Sequence, residues 1–336
     1  MMKLGLIGAG RIGRLHGEII TYHVPKAEIK TVAEVYADEK TIEWASSLAI
    51  ENVTKDYKEI LKDDEIKGVI IASSTDTHAD LIIESAKAGK DIFCEKPIDF
   101  NIDKIKEALK AVEDAGVKLQ IGFNRRFDHN FRRVRELVDG NKVGDVHIVK
   151  ITSRDPAPPP IEYIKVSGGL FFDMTIHDFD MARYLSGSEV EEVHAVGTVL
   201  VDEKIGEAGD IDTAVITLKF ENGAIGIIDN SRQAVYGYDQ RVEVFGSKGC
   251  AVANNDYPDT VRLSTDENVS TDKPLFFFLE RYYDSYVQEF KSFVNALAED
   301  KTPPVVGIDG LQPVLIGMAA YKSMKEKRTV KLSELF

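Results

Sequence analysis

Short apolar segments alternate with amphipathic helical segments throughout the first 122 residues of the chain. The apolar segments are KLGLIGAG, EIKTVAEVYA, KGVIIASS, DIFCEKP and VKLQIGF. Strands that are separated by helices form right-handed βαβ units, whose strands run parallel and whose sheet is covered by helices on both faces. The fold class is therefore predicted as α/β, with a doubly wound parallel sheet over residues 1–122.

The pattern changes after Phe123. In the segment DTAVITLKFENGAIGIIDNS, apolar residues recur at every second position and are followed by Asn222-Gly223, which is a strong signal for a β-hairpin. QRVEVFGSKGCAVA repeats this pattern around Gly246 to Gly249. Residues 123–336 are therefore predicted to form an α+β domain with an open, largely antiparallel sheet. Helices are expected on one face of that sheet, and a subunit partner on the other.

A glycine motif follows the first predicted strand. Gly8, Gly10 and Gly13 form G-x-G-x-x-G at the start of a helical segment, where free N–H groups attract phosphate. Gly8 permits a tight turn, Gly10 lets a pyrophosphate approach the backbone, and Gly13 permits close packing of helix on strand. The next strand ends near Glu34, which could bind the ribose hydroxyls, and no Arg or Lys stands beside it to bind a 2′-phosphate. This favours NAD over NADP; the alternative is a plain glycine turn with a surface glutamate.

A lysine follows another predicted strand. Glu95, Lys96 and Pro97 come directly after the apolar run Ile92-Phe93-Cys94, at the carboxyl end of a parallel strand, where ligands bind in such sheets. Pro97 restricts the backbone of Lys96 and so limits where its ammonium can point. A solvated lysine at the start of a loop is the structural alternative.

A polar stripe is predicted on one mostly apolar helix over Gly168 to Leu185. Its members are separated by helical spacing and are Asp173, His177, Asp180 and Tyr184. The stripe could be the wet face of the helix, but neither Lys nor Glu occurs between Lys165 and Glu189. The alternative is that the stripe forms the wall of a catalytic cleft.

Charge and cysteine content exclude several classes of function. The net charge of −14 repels nucleic acid, and the basic cluster Arg125 to Arg135 is interpreted as a helix surface. Cys94 and Cys250 form neither a disulfide framework nor a metal-ligand spacing, and no metal site is expected. The N-terminal segment has neither the basic flank nor the cleavage site of a signal peptide, so a cytoplasmic protein without a membrane partner is expected.

With these residues assembled, the chain resembles the glucose–fructose oxidoreductase, inositol dehydrogenase and rhizopine catabolism (Gfo/Idh/MocA) family over nearly its full length. The motifs that match in order are GAGRIG, SSTDTHADLIIESAKAGKDIFCEKP, GFNRRFD, DMTIHDFDMARYL and NSRQAVYGYDQRVEVFGSKG. Within the family, SRDPAPPP, VSGGLFFDMTIHDFD and YGYDQR are most similar to inositol 2-dehydrogenases. The resemblance implies an NAD-binding Rossmann domain and a substrate-binding domain, with a homotetramer built through the open sheet.

The resemblance also implies a catalytic set of Lys96, Asp173 and His177. A secondary alcohol releases hydride only as its hydroxyl proton leaves, and His177 is the residue type that accepts this proton near neutral pH. Asp173 would orient the imidazole or stabilise its charged form. Lys96 would stabilise the developing alkoxide and lie beside the nicotinamide.

Further site residues follow from the same resemblance. The cofactor would contact Gly8, Gly10, Arg11, Ile12, Gly13, Glu34, Ser73, Ser74, Thr75, His78, Glu95 and Lys96. The polyol would contact Lys96, Asn124, Arg125, Asp155, Asp173, His177, Asp180 and Tyr238. For the polyol contacts, a satisfied structural polar group is the alternative; His78 could instead cap the helix that follows it. The remaining histidines, including His16, show no partner spacing and are expected at the surface or in the core.

The predicted reaction is NAD-dependent oxidation of a ring hydroxyl of a cyclic polyol, myo-inositol to 2-keto-myo-inositol (scyllo-inosose). Some inositol dehydrogenases carry His-Arg-Asn-Pro where this chain has Ser153, Arg154, Asp155 and Pro156, so the isomer that is oxidised stays open. The alternatives are another inositol isomer, an aldose or a sugar acid. Beyond these stand a non-redox glycosidase or lyase that uses bound NAD, and an NAD-sensing regulator.

Overall fold

The chain divides into two compact units in a computed structural model that describes residues 1–335. Unit 1 contains residues 1–124 and 285–312, and unit 2 contains residues 125–284 and the chain from Pro313 onward. Segment 285–312 therefore joins the first unit, whereas the sequence analysis assigned it to the second. An amphipathic pattern predicts a helix over residues 283–300, but it does not say which sheet the apolar face covers.

Unit 1 is built on six strands that all run parallel. Their spatial order is β3-β2-β1-β4-β5-β6, the order of a doubly wound dinucleotide-binding sheet, which confirms the predicted fold class. The strands are β1 (Met2–Ile7), β2 (Ala27–Ala33), β3 (Asn52–Thr54), β4 (Ile66–Ile71), β5 (Asp91–Glu95) and β6 (Leu119–Gly122), with helices α1 (Arg11–His23), α2 (Glu39–Ser47), α3 (Lys58–Lys62), α4 (His78–Lys87) and α5 (Ile102–Ala115).

Unit 2 is built on a seven-stranded mixed sheet in the order β12-β11-β7-β10-β9-β8-β15. All neighbouring strands are antiparallel except β7 and β10. The elements up to residue 281 are α6 (His129–Asp139), β7 (Val146–Arg154), α7 (Ile161–Ile164), α8 (Gly169–Asp173), α9 (Thr175–Ser186), β8 (Val190–Thr198), α10 (Glu203–Glu207), β9 (Thr213–Phe220), β10 (Ile225–Ser231), β11 (Asp239–Gly246), β12 (Gly249–Ala253), β13 (Arg262–Ser264), β14 (Val269–Thr271) and α11 (Phe278–Arg281).

The last part of the chain contributes to both units. It contains α12 (Tyr283–Ala298), α13 (Gly307–Glu326) and β15 (Val330–Lys331). In unit 1, α12 packs against β5: the ring centroid of Phe93 lies 4.5 Å from that of Phe290 and 5.8 Å from that of Phe293. None of the helices in the described part of the chain combines the length and the hydropathy that a bilayer crossing requires.

The predicted hairpin at Asn222-Gly223 is confirmed, and it joins β9 to β10. Gly223 adopts φ +87°, a left-handed conformation that favours glycine in such turns. On β9, Ala214, Ile216, Leu218 and Phe220 are buried, whereas the alternate positions are exposed or partly exposed. Helix α9 packs on β7 and β10, so these buried positions belong to the helix-covered face of the sheet.

Candidate functional site

The glycine turn has the geometry that a dinucleotide requires. Gly8 adopts φ +97°, and a Cβ on it would lie 2.6 Å from the Ala72 carbonyl oxygen. A Cβ on Gly13 would lie 2.1 Å from the Gly8 carbonyl oxygen, which explains the close packing of α1 on β1. A Cβ on Gly10 would meet nothing within 4 Å, so this exposed backbone is open to a phosphate at the start of α1.

The acidic residue after β2 reaches this turn. The Glu34 carboxylate accepts hydrogen bonds from the backbone N–H of Ala9 at 2.7 Å and from that of Tyr36 at 3.0 Å. Arg11 is exposed and Ile12 is partly exposed at the start of α1. An open glycine backbone with a carboxylate held beside it fits a dinucleotide, so the residues that are present match the predicted cofactor.

His78 joins the loops that follow β4 and β5. Its Nδ1 lies 2.8 Å from the Pro97 carbonyl oxygen, and its Nε2 lies 3.1 Å from that of Ser73. Burial lowers the pKa of His78, although both carbonyl contacts oppose this shift. The ring contacts carbonyl groups and caps no helix N–H, so the capping alternative is wrong.

The two loops that His78 joins carry the other cofactor residues of the sequence analysis. After β4, Ser73 and Thr75 are partly exposed and Ser74 is exposed. Glu95 ends β5 and Lys96 follows it, both partly exposed. His78 thus fixes the loop with Ser73 relative to the loop with Lys96.

In unit 2, the predicted helix over Gly168 to Leu185 is two helices, α8 and α9, which are separated at Met174. The Thr175 hydroxyl lies 3.2 Å from the Leu170 carbonyl oxygen and 2.7 Å from Asn230 Oδ1. A hydroxyl that binds a backbone carbonyl competes with helical hydrogen bonding, which accounts for the interruption. Asp173 therefore ends α8, and the partly exposed His177 lies in the first turn of α9.

Asp173 is held by two side chains that the sequence analysis did not identify. Its Oδ1 accepts a hydrogen bond from the Tyr163 hydroxyl at 2.9 Å, and its Oδ2 accepts one from Arg232 Nη1 at 2.8 Å. The same Nη1 lies 3.5 Å from Oδ2 of Asp155. Burial raises the pKa of Asp155 to about 6; Arg232 opposes the shift, and the charge of Asp173 adds to it.

A second buried network surrounds Arg125. Its Nη1 donates to Asp178 Oδ1 at 2.6 Å, and its Nη2 donates to the Tyr238 hydroxyl at 3.4 Å. Asn230 donates to the other Asp178 oxygen at 2.9 Å. Burial raises the pKa of Asp178, whereas Arg125 opposes that shift, and burial raises the pKa of Tyr238 well above its ordinary value. The structure thus brings Arg125 and Tyr238 together, with Asp178 as an additional member, and their contact with substrate stays a prediction.

The stripe of the sequence analysis does not form one continuous set. Both oxygens of the buried Asp180 accept hydrogen bonds from Arg126 Nε, at 2.9 Å and 3.2 Å. Tyr184 lies against the guanidinium groups of Arg126 and Arg135. These contacts connect α9 to Arg126, just before α6, and to Arg135 within α6. The contact of Asp180 with substrate stays a prediction.

The remaining candidate residues are divided between the units. Asn124 is the last residue of the first stretch of unit 1, is 2% exposed, and its Nδ2 has no hydrogen-bond partner among residues 1–335. Lys96 also belongs to unit 1, whereas Asp173 and His177 belong to unit 2. No local sequence signal points to Arg232 or Tyr163, because their contacts with Asp173 depend on tertiary structure.

One acidic group outside these networks has ligand atoms close together, namely Asp128, His129 and Asp256. Arg281 Nη1 lies 3.0 Å from an Asp256 oxygen and also pairs with Asp128. The two carboxylates are thus already compensated by a guanidinium group.

The chain matches the models of two domains of one protein family. Residues 2–123 match the model of an oxidoreductase family with an NAD-binding Rossmann fold, and residues 131–252 match the GFO/IDH/MocA C-terminal domain. The chain is 54% identical to the uncharacterized oxidoreductase YrbE of Bacillus subtilis, covering 95% of this chain and 93% of that one. It is 50% identical to a myo-inositol 2-dehydrogenase of Thermotoga maritima, covering 99% of both. The crystal structure of scyllo-inositol dehydrogenase from Lactobacillus casei with NAD(H) and scyllo-inositol superposes with a TM-score of 0.91, at 28% identity and 99% coverage of both chains.

Proposed function

The chain belongs to the GFO/IDH/MocA family of NAD-binding oxidoreductases, and we propose that it oxidises myo-inositol to 2-keto-myo-inositol (scyllo-inosose). The observation that carries this proposal is the polar network around Asp173, in which the buried Arg232 holds the partly exposed Asp173 carboxylate. Relatives that are named inositol dehydrogenases, at 50% and 44% identity over 99% of this chain, support the choice of substrate.

His177 is the proposed general base, and it accepts the proton of the ring hydroxyl. Asp173 orients the imidazole and stabilises its charged form, while Arg232 and Tyr163 hold the Asp173 carboxylate in place through hydrogen bonds of 2.8 Å and 2.9 Å. Lys96 stabilises the alkoxide as its charge develops. Bound NAD supplies the acceptor for the hydride that leaves the ring carbon.

The cofactor is held by the glycine turn and by the loops after β4 and β5. The pyrophosphate binds at Gly10, Arg11 and Ile12, and Glu34 binds the adenosine ribose. Ser73, Ser74, Thr75, His78, Glu95 and Lys96 surround the remainder of the dinucleotide.

Substrate recognition uses short polar groups that pair with the ring hydroxyls, namely Asn124, Arg125, Asp155, Asp180 and Tyr238. A site that is built to bond each hydroxyl rejects analogues that lack one, because its own polar groups are then left unpaired. The buried Arg125 network and the Asp155–Arg232 pair supply fixed donors and acceptors of this type.

We also propose that the protein is a cytoplasmic homotetramer that assembles through the uncovered face of the unit 2 sheet. Apolar side chains on that face are about half exposed: Val215 at 49%, Ile225 at 50%, Phe245 at 45% and Val252 at 52%. The register places Phe245 and Ile225 on either side of Ile148, so these residues form one apolar row. Such a row is typical of a subunit interface. The number of four subunits rests on the family resemblance. Both cysteines are free thiols, which agrees with the proposed cytoplasmic location.

The test is the appearance of NADH absorbance when purified protein is given NAD and myo-inositol, scyllo-inositol or glucose. Turnover of myo-inositol by wild type that disappears in His177→Ala would support the proposal. The matched control is His129→Ala, which removes a histidine whose side chain is 63% exposed and should leave turnover unchanged. Turnover of scyllo-inositol or glucose without turnover of myo-inositol would show that the proposed substrate is wrong. NAD binding without NADH formation from any of the three would favour a non-redox reaction or a regulatory role.

A further inference from the structure

A cluster of polar side chains in unit 1 connects Glu95, assigned above to the cofactor, to three buried residues that the proposed reaction does not use. We call it the β5 cluster, and its members are His16, Glu95, Gln120 and Glu289. His16, Gln120 and Glu289 are each 0% exposed. His16 lies on α1, Glu95 ends β5, Gln120 lies on β6 and Glu289 lies on α12, so the cluster is formed by two strands of the parallel sheet and two helices.

The cluster is connected by specific contacts. His16 Nε2 lies 2.6 Å from Glu95 Oε1, and the His16 ring packs with its centroid 4.6 Å from that of Phe290. Gln120 Nε2 donates a hydrogen bond of 3.3 Å to the backbone carbonyl of Glu289. In the sheet Gln120 pairs with Phe93, two residues before Glu95, so the side chains of Gln120 and Glu95 lie on the same face.

Four polar atoms of the cluster have no hydrogen-bond partner within residues 1–335: His16 Nδ1, Gln120 Oε1 and both carboxyl oxygens of Glu289. Such atoms are expensive to bury, and native proteins satisfy them with ordered water. The types of these atoms decide which protonation state fits. In a neutral His16 whose Nε2–H donates to Glu95, Nδ1 is an acceptor, and Gln120 Oε1 is an acceptor as well.

An ionised Glu289 would add only further acceptors to this set. A protonated Glu289 supplies one O–H donor, and one buried water supplies two more, which is sufficient for the acceptors of the cluster. The pKa of Glu289 agrees in direction, because burial raises it well above its ordinary value and the charge of Glu95 adds to the shift.

We propose that Glu289 is a protonated carboxylic acid that, together with a buried water, positions Glu95 through His16 and thereby positions Lys96, the next residue along the chain. Glu289 is a positioning residue, since it acts only through its neighbours. The donor from Glu289 or its water keeps His16 in the tautomer that donates to Glu95. This inference rests on the assignment of Glu95 and Lys96 to the cofactor under the proposed function.

The experiment is a titration with NADH, followed by energy transfer from Trp44, the single tryptophan of the chain. Glu289→Gln retains a donor and an acceptor, so its Kd is expected within twofold of wild type. In Glu289→Leu the new side chain fills the space of the glutamate but supplies no hydrogen-bond donor. The Kd of this variant for NADH is expected to rise about tenfold. Phe293→Leu, a buried apolar change on the same helix, is the matched control and should leave Kd unchanged.

Infrared spectra of wild type and Glu289→Gln give a second readout. The difference spectrum between wild type and the variant should contain the carbonyl stretch of one protonated carboxylic acid, and its absence from the difference spectrum would overturn the proposal. Unchanged binding by Glu289→Leu, equal weakening by Gln and Leu, or equal weakening by Phe293→Leu would each overturn it as well.

Lys96→Met in the same titration separates this inference from the proposed function. If Lys96→Met binds NADH like wild type, the assignment of Lys96 to the cofactor fails. If Lys96→Met weakens binding and Glu289→Leu does not, only the role of Glu289 fails.

Discussion

Replacing Asp155 by Asn should change how the stability of the protein depends on pH. In the folded protein the pKa of Asp155 is raised from 3.8 to about 6, chiefly by burial, and its side chain is 22% exposed. Below pH 3.8 the carboxyl is protonated in both the folded and the unfolded chain, so it costs nothing. Between these two values the unfolded chain releases the proton that the folded chain retains, and stability therefore falls as the pH rises. Above pH 6 the loss is complete.

The size of the effect follows from the shift. One pKa unit corresponds to about 1.4 kcal/mol, so a shift of about two units removes about 3 kcal/mol of unfolding free energy between pH 3.5 and pH 7. Asn cannot titrate and does not carry this loss. Relative to wild type, Asp155→Asn should therefore gain about 3 kcal/mol over this range, whatever its offset at low pH.

The assay is urea unfolding of both proteins, followed by far-ultraviolet circular dichroism at intervals from pH 3.5 to pH 7.5 without polyol. Val149→Ala, a buried apolar change on β7, the strand that Asp155 follows, is the control, and its difference from wild type should not vary with pH. A difference between Asp155→Asn and wild type that stays constant, or that reverses sign with pH, would refute the reasoning.

Further perturbations test other parts of the structure. Gly10→Ala should fold normally but lose NADH affinity, because its Cβ meets no protein atom and occupies the space of the phosphate; Gly13→Ala should instead unfold more easily, because its Cβ would lie 2.1 Å from a backbone oxygen. Thermal unfolding and NADH titration of both variants distinguish these outcomes, and equal behaviour of the two would contradict them. Arg232→Met leaves Asp173 and Asp155 without their shared guanidinium, so we expect a loss of about 3–5 kcal/mol in urea unfolding; a loss below about 1 kcal/mol would count against the ion pair. Phe245→Asp places a charge in the apolar row of the uncovered sheet face, and sedimentation should show a smaller assembly than for wild type.

Local sequence patterns predicted the parts of the fold that depend on local periodicity. The glycine turn, the alternation of strands and helices in unit 1, and the Asn222-Gly223 hairpin are examples, because their signals lie within one or two elements. The parallel pairing of β7 with β10 could not be read in the same way, since it joins strands that are separated by four helices and two strands. The assignment of α12 to unit 1 likewise depends on Phe93, which is far away in sequence.

The candidate site shows the same limit. Asp173, Arg125 and Tyr238 could be proposed from motifs, but Arg232 stands 59 residues from the carboxylate it binds, and Arg126 stands 54 residues from Asp180. Helical spacing predicted that Asp173 and Asp180 share a face of one helix. Helical spacing could not show that Thr175 interrupts the helix between them, or that Arg126 donates hydrogen bonds to the Asp180 carboxylate.

The order of the two units along the chain affects how the protein can be made. Unit 1 lacks α12 until residue 298 has been synthesised, and until then Phe93 has no Phe290 or Phe293 to pack against. Unit 2 in turn needs the chain beyond Pro313. During synthesis on the ribosome, the nucleotide-binding unit therefore stays incomplete until almost all of the other unit has been synthesised. A gene fragment that ends after residue 124 would encode a sheet with one of its covering helices missing, and such a fragment is expected to aggregate when it is expressed alone.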